Sequence, residues 1–129
     1  MRKKEIRVLM VEPGKYPREV TIGNDLDSLQ KAVSIDCERQ GLIEIIGIEK
    51  GVCILCNEEG KLLGLEGNRR LGDDIITGVF YVVGENRRGD LISLTDAQIE
   101  KYSKRFWHPQ VFTPDEIARL LFMSFSAGW

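Results

Sequence analysis

The sequence predicts an α+β fold: a mostly antiparallel sheet of about five to seven strands, one helix after the first hairpin and two C-terminal helices. Three observations predict it. Short apolar, β-branched runs recur along the chain and are separated by Gly-closed gaps too short for crossover connections, which favours hairpins. A single stretch in the first third repeats Leu26, Leu29, Val33 and Cys37 at helical spacing. Two threonine-led capping patterns then follow one another near the end of the chain.

Residues 6–12 read Ile-Arg-Val-Leu-Met-Val-Glu and stop at Pro13-Gly14, the signature of a first strand and its turn. Residues 18–22 alternate polar and apolar and return as its hairpin partner, ending at Gly23-Asn24. Asn24 or Asp25 can accept from the free amides of a helix start, and the apolar stripe from Leu26 carries the predicted helix through Cys37 to Gly41, just past its end. Strands are predicted over 42–48, 52–57 and 61–65, with Glu49-Lys50-Gly51 and Glu58-Glu59-Gly60 as turns. A longer strand spans 75–84, and a polar turn over 85–90 leads into a short strand over 91–94.

The two closing helices start at Thr95-x-x-Gln98 and at Thr113-Pro114-Asp115-Glu116. The first has an apolar face of Ile99, Tyr102 and Phe106. The second is apolar nearly all round beyond Arg119, so it is expected either between the sheet and its neighbour or with its outer side in a homo-oligomer contact.

No linker, repeat or low-complexity stretch divides the 129 residues, so the expectation is a single domain over 1–129, with 43% hydrophobic residues to fill one core. Eighteen basic against twenty acidic side chains leave a net charge of -2, which excludes a globally basic nucleic-acid binder and an acidic nucleic-acid mimic alike. No apolar run approaches the ~20 residues of a membrane-spanning helix, so no membrane partner is expected. The charged start has no signal-peptide pattern, and three cysteines are an odd number for a disulfide framework; a cytoplasmic location follows as the expectation.

Catalytic constellations are sparse. Cys53-x-x-Cys56 has a zinc-like spacing but falls inside a strand, where alternation sends the two sulfurs to opposite faces, so buried structural thiols are the preferred reading. His108 is the sole histidine, and Phe106-Trp107-His108-Pro109 reads as a helix end and packed loop. Gly60, Gly64 and Gly67 fit neither phosphate-binding glycine pattern. Asp73-Asp74 is one compact acidic pair where a divalent site needs several converging oxygens. No metal, cofactor or catalytic residue is therefore assigned, and a metal-dependent hydrolase built on Asp73, Asp74, Glu58 or Glu59 is the third-ranked reading.

The polar stretch favoured for binding is Gly67-Asn68-Arg69-Arg70-Leu71-Gly72-Asp73-Asp74, read as a loop, with Arg87-Arg88 in the next hairpin. Guanidinium forks suit phosphate or carboxylate oxygens. If both loops project from one end of the sheet, Asn68, Arg69, Arg70, Arg87 and Arg88 converge on a small anionic ligand, and Arg69→Ala with Arg87→Ala then leaves folding nearly intact while abolishing binding. The alternative is solvation or pairing with Asp73, Asp74, Glu85 and Asp90. A second basic strip, Lys101, Lys104 and Arg105, lies near Tyr102 and Trp107, an interleaving that can hold nucleic acid, though core or helix-end packing explains both rings better.

Most of the chain also resembles a family of small, functionally uncharacterised domains carried by phages, plasmids and other bacterial mobile elements. The resemblance rests on Val-Leu-Met-Val-Glu-Pro-Gly from Val8, Leu-Ile-Glu from Leu42, Cys-Asn-Glu-Glu-Gly-Lys from Cys56 and Gly-Leu-Glu-Gly-Asn-Arg from Gly64. Ile-Thr-Gly-Val-Phe-Tyr-Val-Val-Gly from Ile76 and Ser-Leu-Thr-Asp-Ala-Gln-Ile-Glu from Ser93 complete it. It implies a setting rather than a chemistry. The expected function is a non-enzymatic accessory or counter-defence factor that binds a host protein or a small anionic or nucleotide ligand. Nucleic-acid binding through the arginine loops is the alternative.

Overall fold

The computed structural model describes residues 4–127, with side chains described through Met123. β1 (Glu5–Val11) and β2 (Arg18–Gly23) form the first hairpin, in register from Glu5 opposite Gly23 to Met10 opposite Arg18. α1 (Leu26–Ala32) follows, then a second hairpin of β3 (Ile43–Glu49) and β4 (Val52–Asn57). β5 (Gly67–Leu71) and β6 (Asp74–Thr77) make a separate two-stranded sheet. β7 (Phe80–Glu85), the short β8 (Leu91–Ile92), α2 (Asp96–Arg105) and α3 (Pro114–Ala127) complete the α+β fold.

The main sheet holds six antiparallel strands in the order β2-β1-β7-β4-β3, with β8 added to β7. β7 enters between the two hairpins: β4 takes one of its edges along residues 80–84, and β1 takes the other along residues 80–82, leaving Gly84 and Glu85 for β8. A strand so placed has both faces covered and both edges paired, which is why Phe80-Tyr81-Val82-Val83 reads as an unbroken apolar run.

Strand periodicity sorts the core into two layers. Ile6, Val8 and Met10 of β1, Cys53 and Leu55 of β4, and Tyr81 and Val83 of β7 pack with Leu29, Ala32 and Val33 on the α1 side. The residues between them, Leu9, Val11, Ile54, Cys56, Phe80 and Val82, pack with Ile76, Tyr102 and Phe106 on the opposite side, under β6 and α2. Cys53 and Cys56 therefore point to opposite faces, as alternation requires. Phe80, with no exposed surface, meets Phe106 edge-on at 5.2 Å between ring centroids, and each such buried ring contributes about 2 to 3 kcal/mol.

Both capping boxes form. Thr95 Oγ1 accepts from Gln98 N at 3.1 Å while Thr95 N donates to Gln98 Oε1 at 2.9 Å. Thr113 and Glu116 repeat the exchange at 3.2 Å each way ahead of α3, with Pro114 as its first residue.

Five expectations about the elements are corrected. α1 ends at Ala32, not near Gly41: the β-branched pair Val33 and Ile35 flanks Ser34, whose hydroxyl accepts from Gly41 N at 2.8 Å, so turns replace the helix and Cys37 lies outside it. Residues 61–65 are turns, closed by bonds such as Leu63 N to Glu59 O at 2.9 Å, because β3 and β7 already occupy both edges of β4. The stretch 67–74 is not a loop but most of a hairpin, turning on Gly72 at φ +60° beside Asp73. The predicted strand 75–84 is two strands, divided at Gly78, whose φ of +75° and 2.7 Å Cβ clearance to Leu65 admit only glycine. β8 is likewise shorter than the predicted 91–94.

α3 is not sandwiched. Phe112 and Ile117 seat its start on Gly67, where a Cβ would meet Phe112 at 2.9 Å. Phe122 and Met123 on its other side remain 71% and 56% exposed.

Candidate functional site

Asn68 and Arg69 are the second and third residues of β5 and are both fully buried. Asn68 Nδ2 donates to Val11 O at 2.9 Å and to Gly78 O at 2.8 Å, tying the end of β1 to the turn between β6 and β7. Its Oδ1 accepts from Arg69 Nη1 at 2.8 Å, which orients the neighbouring guanidinium.

Arg69 donates through Nε to Phe106 O at 3.0 Å, through Nη2 to Lys15 O at 2.7 Å, and through Nη1 to Asn68 O at 3.2 Å. Among the described residues no carboxylate pairs with it. Desolvation lowers its pKa from the ordinary arginine value, yet a guanidinium stays charged in a protein. Phe106 is the C-cap of α2, so the cation sits where the free carbonyls of a helix end favour positive charge. Arg69 is thus a buried clip joining the β1–β2 turn to the end of α2.

The residues following Lys15 and Phe106, the two distant carbonyls that Arg69 clips, are exposed aromatic rings. Tyr16 is 58% exposed and Trp107 45%, and the two stack with centroids 4.6 Å apart and planes inclined by 23°. Beside them is a shallow depression of about 480 Å³ lined by Glu100, Ser103, Lys104, Trp107 and His108. Lys104 pairs with Glu100 at 3.0 Å, Lys15 with Glu12 at 3.5 Å, and the Arg105 guanidinium lies 5.2 Å from the Phe106 ring centre. Each of the two lysines beside the rings thus has a carboxylate partner, while Arg105 acts electrostatically on Glu49 and Tyr102.

The remaining sequence-predicted site residues do not join this group. Arg70 is exposed, its backbone N donating to Gln110 Oε1 at 2.9 Å and its side chain lying 3.8 Å from Glu116 and over the Phe112 ring, so it anchors the approach to α3. Arg87 and Arg88 lie in the exposed turn after β7, organised by Asn86 Oδ1, which accepts from Arg88 N and Asp90 N at 2.9 Å each. That turn follows the far end of β7 from Val11 and Asn68; five strand steps separate the ends by about 17 Å. The two arginine pairs therefore do not converge.

In the second basic strip, Lys101 binds Glu49 Oε2 at 2.9 Å, and buried Tyr102 donates its hydroxyl to the same carboxylate. Burial and that bond push the Tyr102 phenol up to about 12, while the two donors hold Glu49 below its ordinary value. Of the strip, only Lys104 lines the depression beside Trp107; Lys101 and Tyr102 fasten α2 to β3, and Arg105 lies over the Phe106 ring within electrostatic reach of Glu49. Burial also pushes the Cys53 thiol up to about 11 and Cys56 to about 12, leaving both as thiols. Asp74 pairs with Lys61 at 3.0 Å, and no three of the histidine, cysteine and acidic side chains among the described residues form a metal-ligating group.

Sequence reasoning singled out Arg69 and noticed Trp107 but missed Tyr16. The rings lie near opposite ends of the chain, and no periodic pattern relates them; the signal in the sequence is an aromatic beside proline within a charged turn, Lys15-Tyr16-Pro17-Arg18.

No helix among the described residues is long and apolar enough to cross a membrane. No curated protein and no solved structure matches the chain. The model of a family described as a domain of unknown function, DUF3846, matches residues 6–107, from β1 through the end of α2, including both stacked rings and excluding α3. The chain belongs to the DUF3846 family.

Proposed function

We propose that this domain is a non-enzymatic accessory protein of a phage or other bacterial mobile element that binds a nucleobase carrying phosphate, as a free nucleotide or within a single strand. The observation that carries the reading is the exposed Tyr16–Trp107 stack held from beneath by buried Arg69. Burying a guanidinium without a carboxylate costs several kcal/mol before its hydrogen bonds offset the loss. Here that cost fixes two loops whose next residues expose their rings to water, where packing alone gains little.

An aromatic surface of this kind accepts any base by stacking, worth about 1 to 3 kcal/mol per base, and Lys15 and Lys104 supply charge for the phosphate. The near-neutral net charge is compatible with so local a site. In a mobile element such binding withholds the ligand from host machinery, which is the counter-defence reading.

Replacing Trp129 by Phe leaves Trp107 as the sole tryptophan, and its fluorescence reports directly on the site. Titration with a twelve-residue oligothymidylate is expected to quench it, with an apparent affinity that falls as salt rises. Mononucleotides form the second arm and separate a free-nucleotide ligand from a strand. Tyr16→Ala is expected to weaken binding about tenfold, in line with the loss of one stacking partner. Absence of quenching by every oligonucleotide and nucleotide at low salt would refute the proposal.

A further inference from the structure

We propose that the cleft between β3 and α3 docks an extended, basic and apolar segment of a partner protein, added as a strand to the free edge of β3. The cleft, of about 670 Å³, shares no lining residue with the depression beside the aromatic stack and is bounded by the β3–β4 hairpin, the turns after β4, the β5–β6 hairpin and α3. Its apolar lining comprises Ile46, Leu71 and Ile76 on the strands and Leu120 and Leu121 of α3.

Charge complementarity selects the occupant. Glu44, Glu58, Asp73 and Asp74 line the cleft against one cation, Lys61, which is already held by Asp74 at 3.0 Å. Glu44, Glu58 and Asp73 have no ion pair among the described residues. This rim repels phosphate and attracts lysine or arginine side chains.

The backbone selects an extended segment. β3 is the last strand of its sheet, hydrogen-bonded to β4 on one side, and its seven residues contain neither lysine nor proline, the residues that commonly blunt an edge. An incoming strand satisfies the outer amides and carbonyls of β3 and places alternate side chains in the cleft. A second copy of this chain fits less well, since pairing β3 with β3 brings two sets of the same glutamates, Glu44 and Glu49, together.

The probe is a fluorescently labelled eight-residue peptide of alternating lysine and leucine, read by anisotropy against the full chain, with an alternating glutamate-leucine peptide as counterpart. The Lys-Leu peptide is expected to bind and the Glu-Leu peptide to fail. The exposed triple variant Glu44→Lys, Glu58→Lys, Asp73→Lys is expected to weaken binding at least about tenfold, since each reversal replaces a rim attraction by a repulsion. N-methylation of alternate peptide residues, which removes strand-forming donors without touching the protein, is expected to cause a similar loss. Equal binding of both peptides, indifference to the triple variant or to N-methylation, or a sedimentation molar mass showing the cleft closed by a second copy and opened by Leu121→Asp would each overturn the proposal.

Discussion

Replacement of Arg69 tests the central structural claim, that this arginine is a buried clip rather than a free ligand-binding fork. Arg69→Ala removes four donor contacts, to Phe106 O, Lys15 O, Asn68 O and Asn68 Oδ1. Each acceptor left buried without a partner costs about 1 to 3 kcal/mol, and the lost side chain leaves a void. Against this, the variant recovers the desolvation cost of the guanidinium, several kcal/mol. The balance is a destabilisation of about 3 kcal/mol, in the range seen when a buried hydrogen-bond network is broken. With an m-value of about 1.5 kcal/mol/M in urea, the unfolding midpoint falls by about 2 M. Arg87→Ala, in an exposed turn, is expected to stay within about 0.5 kcal/mol of the parent chain. The assay is equilibrium urea unfolding followed by circular dichroism, with unchanged slope as the check on two-state behaviour. An Arg69→Ala midpoint within about 0.5 M of the parent, on the same m-value scale, would falsify the clip. Burial of Arg69 thus reverses the expectation that the double arginine variant leaves folding nearly intact.

Two further outcomes follow from the buried acids. Tyr81 and Tyr102 are held up to about 12, Cys53 to about 11 and Cys56 to about 12, chiefly by burial. A neutral acid with a raised folded pKa keeps its share of stability below the unfolded value and loses it as pH rises toward the folded one. Urea midpoints are therefore expected to decline between about pH 9 and 12 as these groups ionise, and the decline to shrink in Tyr102→Phe; a flat profile across that window contradicts the burial assignments. Titration of native protein with a thiol reagent is expected to modify half-buried Cys37 well before Cys53 and Cys56, which react only on unfolding. Simultaneous modification of all three would show that the two-layer core is wrong.

What the residues reveal locally agrees with the fold wherever the determining interaction is itself local. The Thr95 and Thr113 capping boxes lie within four residues of sequence, and β4 appears at its predicted bounds because its run of apolar residues has one low-energy use, a strand covered on both faces. The misread segments depend on distant partners. Residues 61–65 have strand-like composition but no free edge beside β4, and the 75–84 run divides at Gly78, whose φ of +75° turns β6 into β7 while its carbonyl accepts from the distant Asn68. The helix from Leu26 stops early because Asp36 and Ser34 turn to serve other backbone amides, Val79 N at 3.2 Å and Gly41 N at 2.8 Å.

The candidate site divides along the same line. Composition and motif order alone determined an α+β domain, mostly antiparallel, with capped C-terminal helices and paired cysteines on opposite faces, since helix caps and strand alternation act over a few residues. Residue type also marked Arg69 as a group with chemical purpose. Only the tertiary structure decided what that purpose is. A guanidinium in a loop binds whatever anion arrives, but one within β5, closed off by α2 and the β1–β2 turn, spends its donors on Lys15 and Phe106 carbonyls brought together by the packing of the whole sheet. Tyr16 and Trp107 become neighbours by that same convergence, and no local pattern specifies it, because the contacts that enforce it are distributed across the core.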